Sequence, residues 1–140
     1  MDAIVKDVLI STDKKELDLN YIHAYLSNSY WAKDRTKENI LLSINNSICF
    51  GVYLENKQIG FARLVTDYGV FAYLMDVFID DAYKGKGYGS ILLDYILGLP
   101  ELSNIENWKL ATLDAHDFYA KKGFISLKNP QRIMEKYLKT

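Results

Sequence analysis

The sequence has one cysteine, Cys49, so no disulfide can form within the chain. That usage suits a reducing compartment, and a cytoplasmic protein is expected. Only two prolines occur, with no low-complexity tract and no internal repeat. Nothing reads as a linker, so residues 1–140 are expected to form a single domain. Charge of one sign is also missing. Lys and Arg total 17 against 18 Asp and Glu, a net −1 that offers no electrostatic reason to expect a nucleic acid or an anionic membrane as partner. The longest apolar run, Val70 to Ile79, is too short to span a bilayer and carries Asp76. Met1 to Asp13 lacks the basic and then apolar order of a signal peptide.

What is present is a core. Nearly half of the residues, 49%, are apolar, enough to fill one domain. Ala3 to Ile10 mixes β-branched residues with charge, as an edge strand does. Asp18 can cap a helix carrying Ile22, Tyr25 and Leu26, which should stop near Ser27 to Ser29. Thr36 can cap a second helix with Ile40, Leu41 and Ile44.

The period then changes to two. Ile48, Phe50, Val52 and Leu54 alternate, and so do Ile59, Phe61, Arg63 and Val65 after the polar turn at Glu55 to Gln58. A hairpin is expected. Asp67-Tyr68-Gly69 forms the next turn, and Val70 to Ile79 reads as a strand covered on both faces. Beyond the following loop, Ile91, Leu92, Tyr95, Ile96 and Leu99 form a helical stripe ended by Gly98 and Pro100. Trp108 to Leu113 reads as a strand and Ala115 to Lys122 as a helix closed by Gly123. Phe124 to Leu127 and Ile133 to Tyr137 read as final strands. The order β-α-α-β-β-β-α-β-α-β-β describes an α/β protein (an α+β mixed sheet) with helices on its faces.

The loop is Lys84-Gly85-Lys86-Gly87-Tyr88-Gly89-Ser90, between a buried strand and an amphipathic helix. Glycines let backbone approach a ligand, and free amides at a helix start point at an anion. A diphosphate is the natural guest. A P-loop would need a Lys-Ser/Thr pair after its last glycine, and Ser90-Ile91 stands there instead. A dinucleotide fingerprint needs one more residue between Gly87 and Gly89. The remaining alternative is a flexible surface turn.

At this point the sequence resembles the GNAT superfamily of N-acetyltransferases, whose signature is Gln/Arg-x-x-Gly-x-Gly/Ala. It reads Lys84-x-x-Gly87-x-Gly89 here, with Lys in the first position. Ala115-His-Asp-Phe118-Tyr119-Ala-Lys-Lys-Gly123-Phe124 resembles the family's fourth-helix motif, and Ile59-Gly60-Phe61-Ala62-Arg63 its third strand. The likeness covers about the whole chain in the right element order.

The resemblance implies a mostly antiparallel central sheet with a splayed parallel strand pair and helices on both faces. It implies acetyl-CoA as cosubstrate and no metal. The pantetheine arm would lie along Asp76, Val77 and Phe78, and the diphosphate on Lys84, Gly85, Lys86, Gly87, Tyr88, Gly89 and Ser90. Tyr119 would contact the coenzyme sulfur and act as general acid when the thiolate leaves. The alternative for Tyr119 is an amphipathic core tyrosine.

Asp76, a carboxylate in an apolar strand, is the first candidate for general base, balanced against a structural ion pair. Asp67, Asp114 and His116 stand behind it, and a water chain is a further option. Tyr30, Trp31, Arg63 and Tyr73 are candidates to line the acceptor pocket, with a core-anchoring Trp31 as the alternative. The acceptor would be a small-molecule or peptide amine, with no nucleic acid or membrane partner, and a homodimer is left open. The rival reading is a non-catalytic acyl-CoA-binding or sensing module, which needs the loop but not Tyr119.

Overall fold

The structure is a computed structural model and describes residues 2–138. Six strands form one sheet in the order of the chain. They are β1 Asp2–Val5, β2 Val8–Ser11, β3 Ile48–Leu54, β4 Lys57–Thr66, β5 Phe71–Ile79 and β6 Asn107–Leu110. Neighbours run antiparallel except β5 and β6, which are parallel. The helices are α1 Leu19–Ser27, α2 Lys37–Asn45, α3 Tyr88–Leu97 and α4 His116–Ala120. This is the mixed sheet, antiparallel with one parallel pair, that the sequence leads one to expect.

Local chemistry explains most element ends. The Asp18 carboxylate accepts the amide of Tyr21, and the Thr36 hydroxyl accepts that of Asn39, so both helices start on capped amides. Ile22 and Leu26 of α1 and Ile40 and Ile44 of α2 are buried against Phe61, Phe78 and Cys49 on one face of the sheet. Leu92, Leu93 and Ile96 of α3 pack on the other face with Phe50, Leu64 and Leu74. Burying each such side chain contributes about 1.5–3 kcal/mol before ordering costs.

The edge strand expected over Ala3 to Ile10 is instead a hairpin. Lys6 and Asp7 both take positive φ, 53° and 69°, which turns the chain in two residues. Glu55 and Asn56, at 49° and 67°, do the same between β3 and β4. Ile59 does not share a face with Phe61 as strict alternation implies. The β3–β4 register shifts between Val52 and Tyr53, and Ile59 joins the α3 side while Phe61 joins the α1–α2 side.

Two further expectations fail. β6 ends at Leu110 rather than Leu113, which is 70% exposed. The closing strands over 124–127 and 133–137 do not form, and Ile125, Leu127, Ile133, Met134 and Tyr137 are exposed. Alternating apolar residues favour a strand only where a neighbour offers its ladder, and these segments pair with none among the described residues.

Candidate active site

The parallel pairing of β5 and β6 runs from Phe71 opposite Asn107 to Leu74 opposite Leu110, and then stops. From Met75 to Ile79, β5 keeps partners on β4 but has none on the β6 side among the described residues. The sheet opens there into a cleft of about 1600 Å³. Its lining runs from the Trp31 loop, past Asp76, Val77 and Phe78, to the glycine loop and Tyr119.

The opening is built by a bulge. Gly60 and Phe61 face Ile79 and Phe78, whereas Arg63 faces Met75, so Asp76 and Val77 together oppose Ala62. Asp76 carries φ of 54°, unusual for a residue with a side chain. The extra residue turns the strand over. Ala72 and Leu74 belong to the α3 core, yet Phe78 lies in the other core, stacked 3.9 Å from the Tyr25 ring.

At one end of the cleft, Gly87 caps α3 in the left-handed conformation with φ of 87°, and among the described residues no side chain satisfies the first amides. Gly85 has φ of 79° and would meet nothing within 4 Å if it carried a Cβ. The backbone therefore presents bare amides to an anion, aided by the helix dipole. The flanks are tied down. Lys84 bridges to Asp81 at 2.7 Å, and the Tyr25 hydroxyl donates to the same carboxylate at 3.0 Å. Lys122 holds Ser90 Oγ at 2.6 Å and Asp94 at 2.9 Å.

Tyr119 faces this cleft from α4, its ring set edge-on to Phe118 and Phe124 at 5.1 and 5.9 Å. Its hydroxyl bonds to no described residue. Burial, with Tyr30 adding a smaller effect, pushes its pKa up to about 12. The phenol keeps its proton at neutral pH and can donate it into the cleft. Tyr30 stands beside it, accepting the Leu113 amide at 3.0 Å and meeting Trp31 edge-on at 5.2 Å.

Asp76 sits between two arginines. One oxygen accepts from Trp31 Nε1 at 3.0 Å and Arg35 Nη1 at 2.8 Å. The other accepts from Arg35 Nη1 at 2.7 Å and Arg63 Nε at 3.0 Å. Arg63 spends its other nitrogens on Ser47 Oγ and the Met75 sulfur, and is only 6% exposed.

The chain as a whole is similar to known proteins. Residues 45–126 fit the acetyltransferase (GNAT) domain family. A Gibberella zeae protein assigned as an acetyltransferase is 30% identical over 139 residues, covering 82% of this chain and 77% of its own. The chain belongs to the GNAT acetyltransferase family. An uncharacterised N-acetyltransferase, ycf52 of Pyropia yezoensis, is 28% identical and covers 91% of the chain and 75% of its own. The crystal structure of a Xanthomonas campestris pv. campestris protein assigned to the GNAT family superposes with a TM-score of 0.91. It is 39% identical and covers 97% of this chain and 96% of its own.

In this GNAT chain most of the expected site residues converge. Tyr30, Trp31, Tyr73, Asp76, Val77, Phe78, Lys84, Gly85, Gly87, Tyr88, Gly89, Ser90 and Tyr119 all line the cleft. Lys86 lies on the loop but not on the lining. Arg63 does not line the cleft either. It lies beneath it, because its strand face is covered by α1 and α2 and its charge goes to Asp76.

The geometry also argues against Asp76 as general base. Each of its oxygens already accepts two hydrogen bonds, which leaves no lone pair aimed at an incoming ammonium. Of the weaker candidates, Asp67 caps its own turn by accepting from the amides of Gly69, Val70 and Phe71, and these bonds hold its carboxyl below the usual range. His116 is exposed and outside the lining, whereas Asp114 lies on it.

Sequence reasoning missed two residues. Arg35, the second partner of Asp76, lies in the irregular segment between α1 and α2, where no periodicity marks it. Lys6, in the turn between β1 and β2, donates to the Lys86 carbonyl at 3.3 Å. Its ammonium would lie 3.7 Å from a Cβ placed on Gly87, beside the anion cradle. No local pattern marks a residue that reaches the loop from 80 positions away.

Proposed function

We propose that the protein transfers an acetyl group from acetyl-CoA to a primary amine of a small-molecule or peptide acceptor, directly and without an acyl-enzyme. The observation that carries this reading is the alignment along one cleft of three features: bare helix amides, an unpaired stretch of β5, and the Tyr119 hydroxyl. That order matches a diphosphate, an amide-bearing arm and a thioester.

In this reading the amides from Gly87 to Ser90 hold the diphosphate, with Lys6 as a nearby cation. The unpaired edge of Asp76 to Phe78 hydrogen-bonds the pantetheine amides. The acceptor amine, once neutral, attacks the thioester carbonyl from the side of Tyr30, Trp31 and Tyr73. The Tyr119 hydroxyl donates to the departing sulfur, as a hydrogen bond first and as a proton when the enclosed thiolate becomes basic enough. Asp76 is a positioning residue that holds the bulge, and the amine proton leaves through water or the outer-lying Asp114. Cys49 takes no part, being 1% exposed and enclosed within the α1–α2 core. A cytoplasmic setting fits this single reduced thiol.

The test is mass spectrometry of a broad amine panel incubated with acetyl-CoA and the protein. An acetylated amine that depends on both supports the reading. CoA binding with no transfer to any amine would leave the binding-module alternative in its place.

A further inference from the structure

The two arginines share one carboxylate, so the Arg35–Arg63–Asp76 cluster carries one surplus positive charge. Guanidinium groups do not shed their charge, and enclosed charge calls for a counterion. Arg63 cannot supply the contact, since Asp76, Ser47 and Met75 occupy it and it is buried. Arg35 can. A guanidinium ordinarily meets a carboxylate through two nitrogens side by side. Here Nη1 alone reaches both Asp76 oxygens, and Nε and Nη2 bond to no described residue. The side chain is 27% exposed, lines the cleft, and is held by an aspartate that Trp31 also grips. Asp114 and Glu135 line the same cleft, but neither comes within 4 Å of Arg35 among the described residues.

We propose that the acceptor carries an anionic oxygen group, a carboxylate or a phosphate, beside its amine, and that the uncommitted edge of Arg35 receives it. The Asp76 ion pair would then orient Arg35 as well as hold the bulge. Trp31, Tyr30 and Tyr73 would cover the apolar body between anion and amine. The inference rests on the acetyl-transfer reading for its kinetic test and is independent of it in a binding test.

In the binding test, CoA first saturates the glycine loop, and inorganic phosphate or acetate is then titrated while Trp31 fluorescence is followed in a Trp108→Phe background. A saturable change that is lost in Arg35→Gln and partly kept in Arg35→Lys is expected. Circular dichroism and a CoA titration check that each variant folds. No saturable change with either anion, or an unchanged response in Arg35→Gln, overturns the inference.

In the kinetic test, amines are compared in pairs that differ in the anionic group: ethanolamine with phosphoethanolamine, and phenethylamine with phenylalanine. A charge-assisted contact should favour the anionic member by about tenfold or more in kcat/KM. That preference should collapse in Arg35→Gln, and the stronger of the two pairs tells phosphate from carboxylate. Equal kcat/KM within both pairs overturns the inference and leaves acetyl transfer standing. Saturable anion binding through Arg35, with no amine acetylated, supports the anion site and removes the transferase reading instead.

Discussion

Arg63 Nε lies 3.0 Å from Asp76 Oδ2 across two strands whose register breaks beside them, between Phe61 and Arg63. The pair joins the floor of the sheet to the residue at which the sheet opens. Asp76 has positive φ, a conformation that costs about 1–3 kcal/mol for a residue other than glycine. Its four hydrogen bonds offset that cost, so the ion pair and the cleft depend on one another.

Asp76→Asn should therefore destabilise the fold. Asparagine tolerates positive φ, so the bulge geometry stays accessible while the negative charge is lost. Two guanidiniums, one of them buried, would then face each other. Removing one partner of a buried pair typically costs about 3–5 kcal/mol. Denaturant unfolding measures the loss. A midpoint equal to that of the wild type would show that the pair does not hold the bulge.

Gly87→Val should abolish CoA binding. At φ of 87° a β-branched side chain is strained, and its methyls would stand over the amides that face the diphosphate. Gly89→Ala is the control, because the nearest atoms its Cβ would meet are ring carbons of Phe118 and the γ-methylene of Ile79, at 3.6–3.8 Å. Calorimetry should find no binding for the first variant and near-normal binding for the second. Equal binding by Gly87→Val and wild type would remove the loop assignment.

Tyr119→Phe should lower the acyl-transfer rate by about 10²–10⁴-fold, with a smaller change in acetyl-CoA affinity. Single-turnover rates are needed, because slow product release can mask the chemical step. An unchanged chemical rate would assign the proton to water or another group.

The pH dependence of this residue has a definite sign. Its pKa is raised to about 12, so the acid form persists above the ordinary phenol value of about 10. No alkaline loss of the single-turnover rate should arise from Tyr119 below about pH 10. The linked stability is whole below that value and is lost as pH rises toward 12. A rate falling near pH 8 in wild type but not in Tyr119→Phe would contradict the shift.

Cys49→Ala should keep most of the activity. The thiol is buried, touches the Ile44 carbonyl at 3.6 Å, and burial pushes its pKa up to about 11, so little thiolate forms at neutral pH. Loss of activity together with an acetylated Cys49 peptide would overturn direct transfer.

Much of the candidate site was legible because its parts are local. The glycine loop announces its own conformation, since Gly85 and Gly87 take the positive φ that other residues resist. Tyr119 was marked by a motif within one short helix. Asp76 was visible as an oddity, a carboxylate in an apolar strand, but its role was not. Whether such a group is a base or an ion-pair partner depends on which donors reach it. These donors come from positions 13, 41 and 45 residues away.

By itself the sequence determined the features whose hydrogen bonds close within a few residues. Those are the Asp18 and Thr36 caps, the polar turn after β3 and the glycine loop that opens α3. Its periodicity also marked part of the core, such as Ile22, Leu26, Ile40 and Ile44, though not all of it, since Leu41 and Val65 are exposed. Only the tertiary structure decided which face Phe78 and Asp76 occupy, since one bulged residue reverses the parity of everything after it. It alone placed Lys6 at the loop and Arg35 at the cleft. It also left 124–127 and 133–137 unpaired. A ladder and an ion pair each need two partners, and where the second one stands is a property of the packed chain.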